Sequence, residues 1–294
     1  MRNHKMLFIF CGLLSLTSAN AQQKPEYTLN PTNYVQIDNT LFSCIYTYKI
    51  AVRNPEQATL EEETCYTILQ VGNNSTKFWD YTAYQEDSLL LFGRNVTEEM
   101  KKEAQDKTRR AMYFFEGVIF QNHPRGKMTV TDIITPNYFT YTQPADALEW
   151  ELSGDTLTVC GHLCHKATTS YAGREWTAWY ALDIPSPLGP WKLTGLPGII
   201  LQAEDREGVH LFTATAIRQA GIPVYEQKNA RQIRTTREKF LRNKIGFEKD
   251  PMKNVPMEGI TNIDVLKVGD QSMILIDGLQ LRIRPNGYTP LELQ

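Results

Sequence analysis

The sequence predicts a mainly β protein (a β-rich α+β fold), built as a curved antiparallel sheet or half-barrel with one or two peripheral helices. Three observations predict it. Short stretches rich in β-branched and aromatic residues recur along the chain. Brief turn sequences separate these stretches, and only two segments have helical character. Strands joined by short connections favour an antiparallel meander.

Eight stretches carry the strand pattern. They are residues 42–52, 64–71, 113–120, 127–135, 156–160, 167–171, 175–182 and 209–217. Gly-Asn-Asn at 72–74, Ser-Gly-Asp at 153–155 and Arg-Glu-Gly at 206–208 predict turns between them, because these residues favour tight backbone conformations.

Two segments predict helices. Residues 97–112 begin with Thr97 as an N-cap and carry acidic residues in the first turn. Few residues in this segment are apolar, so we expect it to lie on the surface. Residues 235–245 begin with Thr235 and Glu238, a spacing that resembles a capping box.

The N-terminus predicts a secretory signal peptide. Arg2 and Lys5 precede an apolar run at 6–16, and Ser-Ala-Asn-Ala follows at 18–21. The apolar run is shorter than the about 20 residues that span a bilayer. We therefore expect cleavage after Ala21 and a mature chain without a transmembrane segment. The expected location is the periplasm or the outer envelope.

Composition limits the partners and the domain plan. Loss of Arg2 and Lys5 with residues 1–21 changes the formal charge from −2 to −4, and no long basic run follows. Nucleic-acid binding therefore lacks its electrostatic basis. We expect a β-rich core over 22–220 and a C-terminal extension over 221–294, with a helix and short strands packed on the same domain.

Four cysteines remain after residue 21, and an even number in an exported chain favours two disulfides. They are Cys44, Cys65, Cys160 and Cys164. We favour a Cys44–Cys65 bond, since those segments can be antiparallel neighbours. Cys160 and Cys164 can pair only if the chain bends at Gly161, because four strand residues span roughly 13 Å.

The same region suggests an alternative, a copper or zinc site. Cys160, His162 and Cys164 share one face if they lie on a strand, and His165 follows them. Thiolates and imidazoles suit these metals. An oxidising compartment instead favours disulfides, and the spacing does not fit covalent haem attachment.

The chain carries no recognised nucleophile with its base and no cofactor motif. We therefore expect a protein that is not an enzyme and uses no cofactor, with a hydrolase as a third hypothesis. The acidic run at 61–63 is interpreted as solvated charge.

An aromatic stretch at 171–185 supplies the candidate ligand-binding residues. They are Arg174, Trp176, Trp179, Tyr180 and, further along, Trp191. One interpretation is a central strand whose rings fill the interior of a curved sheet. The other is an aromatic wall of a ligand cleft, in which Arg174 pairs with an anion.

Residues 189–208 predict a rigid corner. Gly195, Leu196, Pro197 and Gly198 precede a short apolar run at 199–201. Pro197 and Gly198 suit a type II turn with a positive φ at Gly198. We expect the apolar run to begin a buried strand, which a hairpin at 205–208 joins to residues 209–217.

The same motif carries a family resemblance. GLPGII at 195–200 resembles the signature of the GLPGLI family, also called the Porph_ging domain, with Ile199 in place of Leu. Further matches lie at 164–167, 173–174, 179–180, 184–185 and 189–191, and earlier at 69–72 and 77–78. Together they cover residues from about 40 to 220.

The resemblance implies an exported protein of Gram-negative bacteria and assigns no catalytic residues, because the family's function is not established. Its strand layout is similar to that of periplasmic lipoprotein carriers, whose half-open antiparallel barrel holds an apolar ligand. We therefore expect a binding or carrier protein whose partner is an apolar ligand or an envelope protein. A structural or assembly partner of an outer-membrane system is a further alternative.

Overall fold

The computed structural model describes residues 33–53, 60–111, 115–228, 232–255, 258–269, 271–282 and 289–293. The predicted signal peptide lies outside these residues. Strands account for 51% and helices for 16% of the structure, which confirms the predicted mainly β fold.

The strands are β1 Tyr34–Asp38, β2 Thr40–Arg53, β3 Leu60–Gly72, β4 Thr76–Asp80, β5 Val118–Gln121, β6 Lys127–Ile134, β7 Asn137–Pro144, β8 Glu151–Val159, β9 His162–Tyr171, β10 Arg174–Ala181, β11 Ile199–Asp205, β12 His210–Gln219, β13 Val224–Gln227, β14 Gln232–Arg234, β15 Ile263–Val268, β16 Gln271–Ile276 and β17 Leu279–Gln280. The helices are α1 Tyr81–Leu90, α2 Glu98–Arg110, α3 Arg237–Lys249 and α4 Pro251–Asn254.

Twelve strands form one sheet in the order β14-β7-β6-β5-β4-β3-β2-β12-β11-β10-β9-β8. The set β2 to β7 and the set β8 to β12 are each consecutive in sequence, and they join where β2 pairs with β12. All neighbours are antiparallel except β14 and β7. The predicted antiparallel arrangement thus holds except at that edge, where the chain returns from a distance rather than through a hairpin.

The large sheet is strongly curved, as predicted. Gln143 on β7 donates a hydrogen bond of 3.2 Å from Nε2 to the hydroxyl of Tyr171 on β9. Nine strand spacings separate these two strands, which corresponds to roughly 43 Å in a flat sheet. The sheet therefore curls around its inner face, while β14 and β8 are its two edge strands.

The inner face carries the main hydrophobic core. Alternate residues of β2, including Cys44, Tyr46 and Tyr48, point into it because successive strand residues face opposite sides. Tyr48 and Phe212 stack with ring centroids 4.2 Å apart, which joins β2 to β12. Burial of these aromatic rings supplies much of the stabilisation of the fold.

The outer face is covered near β2, β3 and β4 by α1 and by the two-stranded sheet β1–β13. A buried lysine lies in this layer. The Lys77 Nζ lies 3.5 Å from the centroid of the Trp79 ring and 3.9 Å from that of Tyr225. Burial lowers the pKa of Lys77 to about 7, against the opposing effect of Asp87 and Glu226.

Both predicted helices are present, and α1 and the single-turn α4 were missed. The first begins after Thr97, whose hydroxyl accepts from the amide of Met100. The second begins one residue later than predicted, with Thr236 as its N-cap. Helix α1 was not predicted because its residues are largely polar or aromatic; its N-cap Asp80 accepts from the amides of Thr82 and Ala83.

The C-terminal extension packs on the same core. Phe240 and Phe247 of α3 belong to the inner hydrophobic cluster, together with Ile276 and Leu281. The Phe240 ring lies 5.5 Å from that of Tyr141 on β7. This packing follows from an apolar face on α3 that the sheet buries.

Candidate functional site

The candidate site is a cavity of about 90 Å³ on the inner face of the sheet. Residues of β2, β3, β5, β6 and β7 form its floor. Trp191, Lys192, helix α3, and Thr289, Leu291 and Glu292 form its other walls. Its apolar walls include Tyr48, Ile50, Cys65, Phe115, Ile119, Val130, Tyr141, Trp191, Phe240, Leu241 and Leu291. Its polar walls include Glu63, Glu116, Asp132, Lys192, Lys244, Thr289 and Glu292.

Helix α3 places one lysine at the cavity. The Thr236 hydroxyl caps the helix by accepting from the amide of Lys239. Two turns from the cap, the Lys244 Nζ donates to Glu116 Oε2 at 2.6 Å and to the carbonyl oxygen of Ile133 at 2.7 Å. Its distance to Glu248 Oε1, one turn along the helix, is 3.0 Å. These charge-assisted bonds compensate the burial of the ammonium and fix α3 over the sheet.

A second lysine, Lys192, is only 1% exposed. Its Nζ donates to the Tyr141 hydroxyl at 2.9 Å and forms a short ion pair with Glu292 Oε1. Burial lowers the pKa of Lys192, whereas the negative charge of Glu292 raises it. Arg237 Nε donates to the other oxygen of the same carboxylate at 2.7 Å. Glu292 therefore bridges cations from two separate elements.

Arg174 forms the centre of a third buried group. Its Nη1 donates to Asp205 Oδ2 at 2.7 Å. Its Nε and Nη2 donate to the carbonyl oxygens of Leu291 and Pro290, at 3.1 and 2.7 Å. The guanidinium thus holds two successive carbonyl groups of the C-terminal segment, a use of its planar fork of donors.

His210 completes this group. Its Nε2 lies 3.3 Å from the carbonyl oxygen of Pro290, and its Nδ1 lies 2.9 Å from the Tyr48 hydroxyl. Burial and then the charge of Arg174 lower the pKa of His210 to about 3. The ring is therefore neutral, with Nε2–H donating to Pro290 and Nδ1 accepting from Tyr48.

The segment before β11 brings Trp191 and Lys192 to the cavity. Trp191 has a φ of 55°, in the left-handed region that non-glycine residues rarely adopt. Its ring packs 5.6 Å from that of Trp176 and 5.5 Å from that of Tyr171. Strain of this kind persists where the surrounding structure enforces it, and it clusters at functional sites.

The predicted corner at 195–198 is present, but its backbone differs from the prediction. Gly195 has a φ of 105°, whereas Gly198 has no positive φ, so the predicted type II turn is wrong. Gly198 is required for a different reason, because a Cβ there would lie 2.1 Å from the carbonyl oxygen of Ala181. Leu196 is buried, Pro197 is exposed, and β11 follows as the predicted buried strand.

The aromatic candidates mostly fill the core. Trp176, Tyr180 and Trp191 are buried, and Trp179 is partly exposed. Only Trp191 lines the cavity. Arg174 pairs with Asp205 rather than with an external anion. The structure thus matches the interpretation in which most of these rings fill the interior of a curved sheet.

All four predicted disulfide cysteines are free thiols. Cys44 lies opposite Leu69, and Cys65 opposite Tyr48 in the β2–β3 register. The two sulfurs are therefore offset by four residues, roughly 13 Å along the strands, so the predicted Cys44–Cys65 bond is wrong. The chain does bend at Gly161, but Cys160 is exposed and Cys164 is buried.

The proposed metal ligands are not gathered. His162 Nδ1 lies 2.6 Å from Asp183 Oδ2, while the His165 ring packs 5.9 Å from that of Tyr180. Within the described ranges, no group of three or more His, Cys, Asp or Glu side chains is arranged to hold a metal ion.

Sequence reasoning missed the charged residues of the cavity. Glu63 was assigned to a solvated acidic run, yet it is only 1% exposed and lines the cavity. A usable signal was present for Lys192 and Glu292, since each is a single charge inside a short apolar stretch. Such a charge is buried only with a partner, which the local sequence does not reveal.

The chain matches no family model and no curated protein. Among solved structures it is similar to PNGF-II in the C2 and P21 space groups, with a TM-score of 0.44 for both. The identities are 15% and 14%, and the matches cover 68% of this chain and 32% and 33% of those chains. The chain thus spans about a third of the length of those structures. Over the residues with described coordinates, no helix has the length and apolar character needed to cross a membrane.

Proposed function

We propose that the protein is a binding protein, not an enzyme, and that it holds its ligand in the cavity beneath α3. One observation carries this proposal: apolar rings and buried charged groups from β2 to β7, from the segment before β11, from α3 and from residues 289–292 converge on one cavity. Ligand sites typically combine an apolar lining with a few fixed polar groups.

The dimensions of the cavity narrow the ligand class. Sites for drug-sized ligands have volumes of about 300 to 1,000 Å³, whereas this cavity, with Thr289, Leu291 and Glu292 among its walls, holds about 90 Å³. A large apolar cargo does not fit that space. The fitting ligand inserts a small group, and the polar walls favour one that can form hydrogen bonds.

We further propose that the protein acts in the envelope of a Gram-negative cell, after export and cleavage at Ala21. This part rests on the predicted signal peptide and on the GLPGLI-family resemblance.

Native mass spectrometry of the protein purified from its own cells tests the binding function. We expect a retained small-molecule or peptide mass on the wild type. The Val130→Phe variant fills the cavity wall and should lose that mass. Val265→Phe makes the same change at an exposed site on β15 and should keep it. A wild-type protein without any retained mass, under conditions that preserve its fold, would contradict the proposal.

A second candidate is a structural partner of an envelope assembly. The observation that favours it is the edge strand β8, which is exposed over its whole length except Val159. An unpaired edge offers backbone groups to an added strand. A photo-crosslinker at Leu157 should then capture one defined envelope protein in cells, and a crosslinker at exposed Val265 should not.

A further inference from the structure

Residues 289–293, here called the C-terminal strap, are held in the way a bound peptide is held. The backbone carbonyl oxygens of Pro290 and Leu291 accept from Arg174, and that of Pro290 accepts also from His210. The amide of Leu293 donates to the carbonyl oxygen of Ala172 at 2.9 Å. The contacts to the strap come mainly from polar groups that grip its backbone and its one carboxylate.

The receptor groups belong to distant parts of the fold. Arg174 begins β10, Lys192 precedes β11, His210 begins β12 and Arg237 begins α3. Three of the four are buried, and contacts outside the strap, with Asp205, Tyr141 and Tyr48, hold them in place. Such a set is a preformed surface, since its own packing orients it.

Charge defines what this surface accepts. The ammonium of Lys192 is buried beside the Arg237 guanidinium, and the Glu292 carboxylate offsets both charges. Any replacement for the strap must therefore bring an anion to the same place, because a buried cation without a partner is costly. The carbonyl groups of the two preceding residues must also face Arg174, with the chain bent at the second of them, as it is at Leu291.

We propose that the cavity is the end of an acceptor site for a peptide that carries a carboxylate, and that the strap is its internal occupant. The inference rests on the proposed binding function and specifies its ligand class. The pattern of the strap defines the ligand: two residues with free carbonyl oxygens, the second apolar, followed directly by an acidic residue. Leu291 lines the cavity, so an external peptide places its apolar side chain there.

Competition between strap and peptide makes the proposal testable. A strap that is closed most of the time lowers the apparent affinity for an external peptide by the fraction of open molecules. Weakening the strap should therefore tighten peptide binding, whereas damage to the receptor should abolish it. A purely structural tail predicts neither effect.

The probe is fluorescein-labelled Thr-Pro-Leu-Glu-Leu, the sequence of residues 289–293, measured by fluorescence anisotropy with the full chain. We expect Glu292→Gln to bind it at least tenfold more tightly than the wild type. Leu291→Ala weakens the strap without a change of charge and should act in the same direction. Adding Lys192→Met to Glu292→Gln should remove the gain, and a probe with Gln in place of Glu should bind at least tenfold more weakly.

Equal affinities for the wild type and both strap variants, all with native near-ultraviolet circular dichroism, would overturn the proposal. Equal affinities for the acidic and the amide probe would overturn it as well. The native mass spectra described above test the binding function independently. A retained ligand that Val130→Phe removes, together with no peptide binding in any variant, overturns this inference alone.

Discussion

Acidification should destabilise the protein through His210, and the structure gives the size of the effect. The ring is fully buried, and its hydrogen bonds to Tyr48 and Pro290 fit the neutral form. Its pKa is lowered from 6.5 to about 3 by burial and by Arg174. In the unfolded chain the same ring binds a proton near pH 6.5.

The sign follows from proton linkage. Between pH 6.5 and 3 the unfolded state binds more protons at His210 than the folded state, so stability rises with pH in that window. The contribution is complete above pH 6.5 and is lost progressively as the pH falls toward 3. From pH 7.5 to 4.5 the loss from this group is about 3 kcal/mol, at about 1.36 kcal/mol per pKa unit.

Urea unfolding from pH 7.5 to 4.5 measures this contribution. His210→Gln removes the titrating group. Over this range, the free energy of unfolding of the variant should fall by a smaller amount than that of the wild type, and the difference between the two losses should be about 3 kcal/mol. His123→Gln, which removes a partly exposed histidine, is measured over the same range as the matched substitution. Identical pH profiles for His210→Gln and the wild type would refute the assignment of a neutral, buried ring.

Three further perturbations follow from individual contacts. Lys77→Met removes a buried amine with a pKa of about 7. The free energy of unfolding of the wild type, relative to the variant, should therefore rise by about 3 kcal/mol from pH 7 to pH 10, because folded wild-type Lys77 becomes neutral while the unfolded chain still holds its proton. Chemical unfolding at both pH values measures this change. Gly198→Ala places a Cβ against the Ala181 carbonyl oxygen and should cost at least about 3 kcal/mol in thermal unfolding. In native protein at pH 8, a thiol reagent should modify exposed Cys160 first, and Cys44, whose pKa burial raises to about 12, only on unfolding.

Each of these outcomes has a clear opposite. A pH-independent difference between Lys77→Met and the wild type would mean that the amine does not titrate in this window. Gly154→Ala is the control for Gly198→Ala, since an added Cβ at 154 meets nothing within 4 Å. Equal losses at both glycines would contradict the close approach. An intact-protein mass that shows a disulfide would contradict the free thiols.

The sheet was predictable because its signals are local. The stretch 42–52 is dense in β-branched and aromatic residues, and it forms the core of β2. Turn residues at 206–208 marked the β11–β12 hairpin in the same way. The edge pairing of β14 with β7 escaped prediction, because a parallel contact between distant segments leaves no local pattern.

The cavity was not predictable for a related reason. Alternation tells which strand residues share a face, but it does not tell what covers that face. Glu63 resembles a surface acid until α3 and the strap are placed over it. Lys192 gains its partner from residue 292, a hundred positions later in the chain. The sequence suggested a turn as the reason for Gly198, but the backbone contact that requires this glycine lies on another strand, at Ala181.

The seam between β2 and β12 has a consequence for how the chain folds. Each set of strands on either side of it is assembled from sequence neighbours, which close quickly. At the seam, Tyr48 pairs with Phe212, far along the chain. This contact forms only after both sets of strands are present, and it costs the conformational entropy of closing a long loop. During synthesis, β2 to β7 leave the ribosome well before β12. Until β12 arrives, β2 is an open edge, and its protection in the cell depends on chaperones or on fast completion of the chain.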